Sequence, residues 1–343
     1  MSPIASGERN PKSGGSLSYQ VLICAPRKVA TEKTVDIYDM GSIKNKKKQA
    51  SADAAPSSSF IPSFDGGRVV LAVDQSLSST GVAVLAPVSS MEDCAFVARS
   101  VFELSGDAGE ARFRADGSLA SLASSFARLS QKISPSDSPE CLPIYVEGRW
   151  ASGPRKKKKM LVGALVRSRG RLFILLSSVI SCAASAEPER LVARRSADLV
   201  AAAASKMVAY AADRYLREVR LSFECLAMGG SAGTTRILPV LGVVWAAMFD
   251  AMDMTVMLAP ESVLVSPWEF PISSWKKDFT GRGNAKKTDV ETALFSLLGL
   301  SGASFSLETS DESDAMAMGF LLMAGATSAA RSDGRIRPKP TKS

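Results

Sequence analysis

RVVLAVDQSLSSTGVAVLA, residues 68–86, opens with an unbroken apolar run, Val69 to Val73, rich in β-branched residues. Such a run predicts a strand buried on both faces. It ends on one acid, Asp74. SLSSTG then supplies the small and hydroxylated residues of a tight turn, and Gly81 opens a second apolar run, Val82 to Leu85, so the pair predicts a β-hairpin. A carboxylate at the end of a central strand is costly to bury alone. Two readings of Asp74 stand at this point: a turn cap accepting a hydrogen bond from the backbone of Ser76 or Leu77, or a metal ligand awaiting further carboxylates.

Composition narrows the chemistry. The chain has 343 residues, 46% of them apolar, enough for one large domain or two ordinary ones. Lys and Arg number 42 against 34 Asp and Glu, a net charge of +8 that favours a polyanionic partner, nucleic acid first. There is no histidine. That excludes Ser-His-Asp and Cys-His nucleophilic schemes and every histidine-based zinc site, so any hydrolysis would run on carboxylates and metal. Five scattered cysteines (Cys24, Cys94, Cys141, Cys182, Cys225) without a CxxC pair read as reduced thiols of an intracellular protein. The N-terminus carries Glu8, Arg9 and Lys12 amid Gly and Ser and has no signal-peptide core, so secretion is not expected. The longest apolar stretch, Leu172 to Ala186, is too short to span a bilayer and predicts a buried helix, with no membrane role.

Along the chain, residues 1–66 read as a flexible basic arm and 328–343 as a basic disordered tail. Within the arm, Tyr19 to Cys24 and Thr34 to Tyr38 have strand-like patterns. Cys94 to Leu104 predicts a third strand. Leu119, Leu122, Phe126, Leu129 and Ile133 have the spacing of an amphipathic helix. A Ser/Pro loop then delivers Ile144-Tyr145-Val146, a short buried strand that again ends on an acid, Glu147. Two central strands therefore finish in carboxylates, and open α/β sheets build their sites at the carboxyl ends of strands.

Arg155, Lys156, Lys157, Lys158 and Lys159 follow, either a solvated face or a loop turned to phosphates. Residues 190–220 predict a long helix with one basic side, and Thr235 to Ala251 a buried helix, followed by a strand near Thr255 to Leu258. Val290, Ala293, Leu294 and Leu297 mark another helix, capped by Asn284 or Thr288. The last organised element is DESDAMAMGFLLMAGA, 311–326, where Asp311 and Asp314 stand at i and i+3 on one face of the first turn. The helix dipole accounts for one acid there. Two on one face point at something cationic.

VLAVDQSLSSTGVAVL (70–85), IYVEG (144–148), EFPISSWKKDFTGRGNAKKTDV (269–290) and DESDAMAMG (311–319) together resemble the ribonuclease H-like superfamily, and within it the RuvC family of Holliday-junction resolvases. The resemblance implies an α/β domain over 67–327, a mixed five-stranded sheet flanked by helices, with a helical and basic insertion at about 151–228. It implies that Asp74, Glu147, Asp311 and Asp314 bind two Mg²⁺ ions, or Mn²⁺, per active site. Four carboxylates would otherwise repel and raise one another's pKa, whereas two ions would bracket a scissile phosphate. Lys276 and Lys287 match the lysines that support catalysis, with Lys277, Arg282 and Lys286 beside them on the DNA, and Trp150 matches the spacing of an aromatic that stacks on a junction base. By the same resemblance the enzyme is a metal-dependent endonuclease of branched DNA that leaves a 5′ phosphate and a 3′ hydroxyl. It would act as a homodimer, without a small-molecule cofactor, in a cell, an organelle or a virus-infected host.

Three other readings compete with it. A ribonuclease H-like nuclease of flaps or RNA–DNA hybrids shares every site residue. An actin-like or kinase-type ATPase needs a second phosphate hairpin, for which Gly229 to Gly233 is the sole candidate. A non-catalytic nucleic-acid scaffold would have no need of four acids.

Overall fold

A computed structural model describes residues 64–75, 79–105, 118–131, 140–147, 159–181, 189–225, 261–300, 304–325 and 330–331. All of them lie in the second of two units, Asp53–Ser343. Both strand-like pieces of the N-terminal arm, the buried helix expected at 235–251 and the strand near 255–258 fall outside the described residues.

The hairpin is present as read. Strand β1 (Arg68–Gln75) pairs antiparallel with β2 (Ser79–Val88), Val73 opposite Val82 and Asp74 opposite Gly81. Further along are α1 (Met91–Phe102), α2 (Ser118–Ser130), β3 (Glu140–Glu147), β4 (Lys159–Ser168), β5 (Arg171–Ser181), α3 (Glu189–Asp213) and β6 (Glu218–Cys225). The chain closes with β7 (Leu264–Pro271), α4 (Ile272–Thr280), α5 (Lys287–Leu297), β8 (Phe305–Ser306), α6 (Ser310–Ala324) and β9 (Ala330–Arg331). The strands form one mixed sheet in the order β3-β4-β5-β2-β1-β6-β7-β9, with β8 beside β4.

At its centre, β5-β2-β1 are antiparallel neighbours, while β6 and then β7 lie parallel to β1. That order and direction is the ribonuclease H-like sheet, flanked by helices on both faces. The five-stranded core is extended by β4, β3 and β8 on one side and by β9 on the other.

Side-chain alternation sorts the strand residues into two cores. Val69, Leu71 and Val73 of β1 face one way, with α1, α2 and α3 packed over them. Val70 and Ala72 face the other way, under α4, α5 and α6. Because the central strands are covered on both faces, they lack the apolar/polar alternation of a half-exposed sheet.

Three expectations are corrected. Cys94 to Leu104 is helical, because Ser90 caps α1: its hydroxyl accepts from the Asp93 N–H at 3.1 Å, while the Asp93 carboxylate accepts from the Ser90 N–H. Asp93 is held in turn by Arg214, whose Nε donates to Oδ1 at 2.6 Å. Cys94, Val97, Ala98 and Val101 then fall on the buried stripe. Residues 172–181 form no helix. They make the central strand β5, with Leu172, Ile174 and Leu176 in one core and Phe173 and Leu175 in the other. Nor is 151–228 an insertion. It carries β4, β5, α3 and β6, and β6 is the direct parallel neighbour of β1.

Candidate active site

The site begins with the register between β1 and β6. Val73 pairs with Phe223, so the next residue on each parallel strand is an acid, Asp74 on one and Glu224 on the other. Alternation turns both away from Val73 and Phe223 and toward the face covered by α4 and α6. Asp74 is buried, 4% exposed.

Helix α6 brings the next two acids. It lies close on β1 and β2 because the residues between are small: Gly319 faces Ala72, and a Cβ on Gly81 would collide with the backbone of Asp311. Its N-terminal turn is fixed by Glu312, whose Oε2 accepts from the Glu308 N–H at 2.8 Å and the Thr309 N–H at 3.2 Å, and whose Oε1 accepts from the Ser177 hydroxyl at 3.0 Å. Burial pushes the Glu312 carboxyl up to about 7. That anchoring delivers Asp311 and Asp314, both buried, over the ends of β1 and β2. The Ser79 hydroxyl donates to Asp311 Oδ2.

Two lysines complete the group. Lys287, the first residue of α5, donates from Nζ to Asp311 Oδ1 at 2.5 Å. Lys276 of α4 places its Nζ 3.9 Å from Asp314 Oδ2. Behind them, the indole N–H of Trp275 donates to Glu224 Oε1 at 3.0 Å.

The electrostatics follow from crowding acids in a low dielectric. Burial, then the charges of Glu224, Asp314 and Asp311, hold the Asp74 carboxyl well above its usual range, against the pull of Lys287. Burial also raises Glu224, opposed by the Trp275 hydrogen bond and Lys276. Asp314 is raised to about 6, again by burial first, with Lys276 and Lys287 opposing and Asp311 adding. For Lys287, burial pulls down, but the Asp311 hydrogen bond and the charges of Asp311, Asp74 and Asp314 outweigh it, and its pKa rises.

Of the residues expected at the site, the structure brings together Asp74, Asp311, Asp314, Lys276 and Lys287. It does not bring Glu147. That residue ends β3, the outer strand, with β4, β5 and β2 between it and β1. At about 4.8 Å per strand, four spacings put its backbone roughly 19 Å from that of Asp74. Glu224, on the strand beside that of Asp74, stands near that acid instead. The signal for Glu224 lay in EVRLSFEC, where Val219, Leu221 and Phe223 alternate with polar residues and an acid follows.

Lys277, Arg282 and Lys286 are exposed along α4, the α4–α5 turn and the start of α5. Arg282 pairs with Asp289 at 3.6 Å. Lys159 begins β4; its Nζ donates to the Tyr145 hydroxyl at 2.9 Å and lies 4.0 Å from that ring's centroid. Trp150, Arg155, Lys156, Lys157 and Lys158 lie outside the described residues.

The donor set suits a hard divalent cation: carboxylate oxygens only, on rigid elements, with ammonium groups beside them. Asp314 Oδ1 is buried and accepts no hydrogen bond, an arrangement that costs free energy unless a cation or its water meets that oxygen. Among the described residues no three carboxylates stand at ion-ligating spacing. The acids are gathered by strand register and helix packing, with Lys287 and Lys276 drawn against two of them. The residues suit Mg²⁺ in kind, as carboxylate oxygens on rigid elements, though their spacing here is not that of a formed ligand set.

No protein-family model and no curated protein matches the chain. Two solved structures of RuvC from Thermus thermophilus are similar to it. One is the RuvC structure, 15% identical with a TM-score of 0.33. The other is RuvC in complex with a Holliday junction substrate, 13% identical with a TM-score of 0.34. Each comparison covers 76% of this chain and 99% of the other. At that degree of superposition the likeness adds nothing to what the strand order already gives.

Proposed function

We propose that this protein is a metal-dependent endonuclease that cuts phosphodiester bonds in branched DNA, four-way junctions foremost. The observation that carries the reading is the meeting of Asp74 and Glu224, from adjacent parallel strands, with Asp311 and Asp314 from one helical turn and two lysines between them.

Asp74, Glu224, Asp311 and Asp314 would hold the divalent ions, Mg²⁺ or Mn²⁺. Bound there, they would lower the pKa of the attacking water and stabilise the departing 3′ oxygen, leaving a 5′ phosphate. The chain's own residues set the rest. Lys276 and Lys287 project from α4 and α5 at the mouth of the acids, where an ammonium meets the non-bridging oxygens of the phosphate as a point charge. Exposed Lys277, Lys286 and Arg282 continue that positive face outward, placing a DNA backbone along α4 and α5. Glu312 keeps the first turn of α6 in place, so Asp311 and Asp314 need no reorganisation when substrate arrives. A four-way junction presents two symmetric strands, so paired incision needs two copies of this site and therefore a homodimer.

Labelled four-way junction, flap, duplex and RNA–DNA hybrid, incubated with the protein with and without Mg²⁺, test the reading. Mg²⁺-dependent junction cleavage, lost in Asp74→Asn, is the expected result. Cleavage of flap or hybrid alone would assign the same site to a different substrate. Absence of any cleavage, with DNA binding intact, would leave a scaffold.

A further inference from the structure

Trp275 is fully buried in the fourth position of α4, 0% exposed, yet it has a polar atom to satisfy. It spends its single N–H on Glu224 Oε1, 3.0 Å away, a residue 51 positions earlier in the chain. A buried indole N–H is a fixed donor: the ring has two torsions, both locked by packing, so the bond has one direction. On its other side the ring meets Lys276, whose Nζ lies 5.3 Å from the ring centroid and 3.9 Å from Asp314 Oδ2.

We infer that Trp275 is a positioning residue of the nuclease site, an inference that rests on the proposed function. Its N–H engages one carboxylate oxygen of Glu224 and leaves the other for an ion shared with Asp74 and Asp314, while its ring supports the Lys276 ammonium. One side chain thereby sets an acid and a cation at once. Glutamate has three rotatable torsions, and at the end of β6 nothing in the strand itself fixes where its carboxylate points. The outer partner of a ligating carboxylate supplies that constraint, and its loss lowers metal affinity by about 10- to 100-fold. Phenylalanine keeps most of the ring and removes the donor.

The test measures Mn²⁺ binding by titration calorimetry and electron paramagnetic resonance, then the Mg²⁺ concentration for half-maximal cleavage. In Trp275→Phe the Mn²⁺ dissociation constant and the Mg²⁺ half-point should both rise about tenfold or more, with junction binding in EDTA unchanged. In a Glu224→Gln background Trp275→Phe should add no further loss, because the indole acts through that carboxylate. The wild-type protein supplies an independent reading: its Trp275 indole ¹⁵N–H resonance should shift on Mg²⁺ titration, and that response should be lost in Glu224→Gln. Wild-type Mn²⁺ affinity in Trp275→Phe, additive losses in the double variant, or an indole resonance indifferent to Mg²⁺ would each overturn the inference. Absence of Mn²⁺ binding to the wild type would instead overturn the proposed function.

Discussion

Asp314 carries more of the site's electrostatic strain than a lone helix-start acid should. Raising its pKa from 3.8 to about 6 costs the ionised form about 3 kcal/mol at neutral pH. The sign follows from proton linkage: the folded state holds this proton more tightly than the unfolded chain. Stability is therefore lost as pH rises from the unfolded value through about 6, and stays lost above it. In EDTA, urea denaturation should show Asp314→Asn more stable than wild type by about 1–3 kcal/mol at pH 7.5 and equal to it near pH 3.5. Mg²⁺ should stabilise the wild type at pH 7.5, do little near pH 4.5, and never stabilise the variant comparably. Glu224 and Glu147 offer a second comparison. Glu224→Gln should lower junction cleavage by more than about a hundredfold, because losing even an outer partner of a ligand costs 10–100-fold, whereas Glu147→Gln should cleave as wild type. Cleavage rates at saturating Mg²⁺ settle it. Asp74, Asp311 and Asp314 were legible from pattern, the first ending an apolar run and the other two standing at i and i+3, whereas Lys276 and Lys287 came only from the resemblance. Glu224 was not legible, because Arg220 and Ser222 interrupt the apolar run of β6. Arg220 is accommodated in a central strand by Glu218 at 2.9 Å, the Trp268 ring at 4.7 Å and the Leu322 carbonyl at 3.2 Å, the last two being partners that the fold brings to it.

Among the elements, α1 and β5 show how a period is misread. In α1 the helical spacing of Cys94, Val97, Ala98 and Val101 was present, but β-branched and aromatic residues pulled the reading toward a strand. The deciding feature is local, the reciprocal bonds between Ser90 and Asp93. In β5 no local feature decides. A strand buried on both faces and a buried helix have the same apolar composition, and only pairing with β2 and β4 separates them. The contact of α6 with β2 is the element on which the site depends most. A Cβ at residue 81 would meet the Asp311 backbone, which cannot swing aside as a side-chain tip can. Gly81→Ala should therefore cost about 1–3 kcal/mol in urea denaturation. It should also displace Asp311 and Asp314, so that cleavage at saturating Mg²⁺ falls even where the protein remains fully folded.

For the molecule as a whole, a net charge of +8 says little until its placement is known. Along α4 and α5, Lys276, Lys277, Arg282, Lys286 and Lys287 follow one another beside the carboxylates. Lys276 and Lys287 are committed to the acids at 3.9 and 2.5 Å, while Lys277 and Lys286 are exposed. If a DNA backbone runs along this face, the exposed pair releases counterions on binding, about 0.9 per phosphate neutralised. Lys277→Gln with Lys286→Gln should then reduce the slope of log affinity against log salt concentration by roughly two. Each lysine sits outside the acid cluster, so the turnover rate at saturating DNA and Mg²⁺ should be unchanged, and affinity should fall equally for every DNA sequence of the same shape. Fluorescence anisotropy with a labelled junction between 50 and 200 mM salt, about the range over which such contacts dominate, reads the slope directly. An unchanged slope would place the DNA on another basic surface, and the path from that surface to Asp74 would then have to be found before junction geometry could be argued.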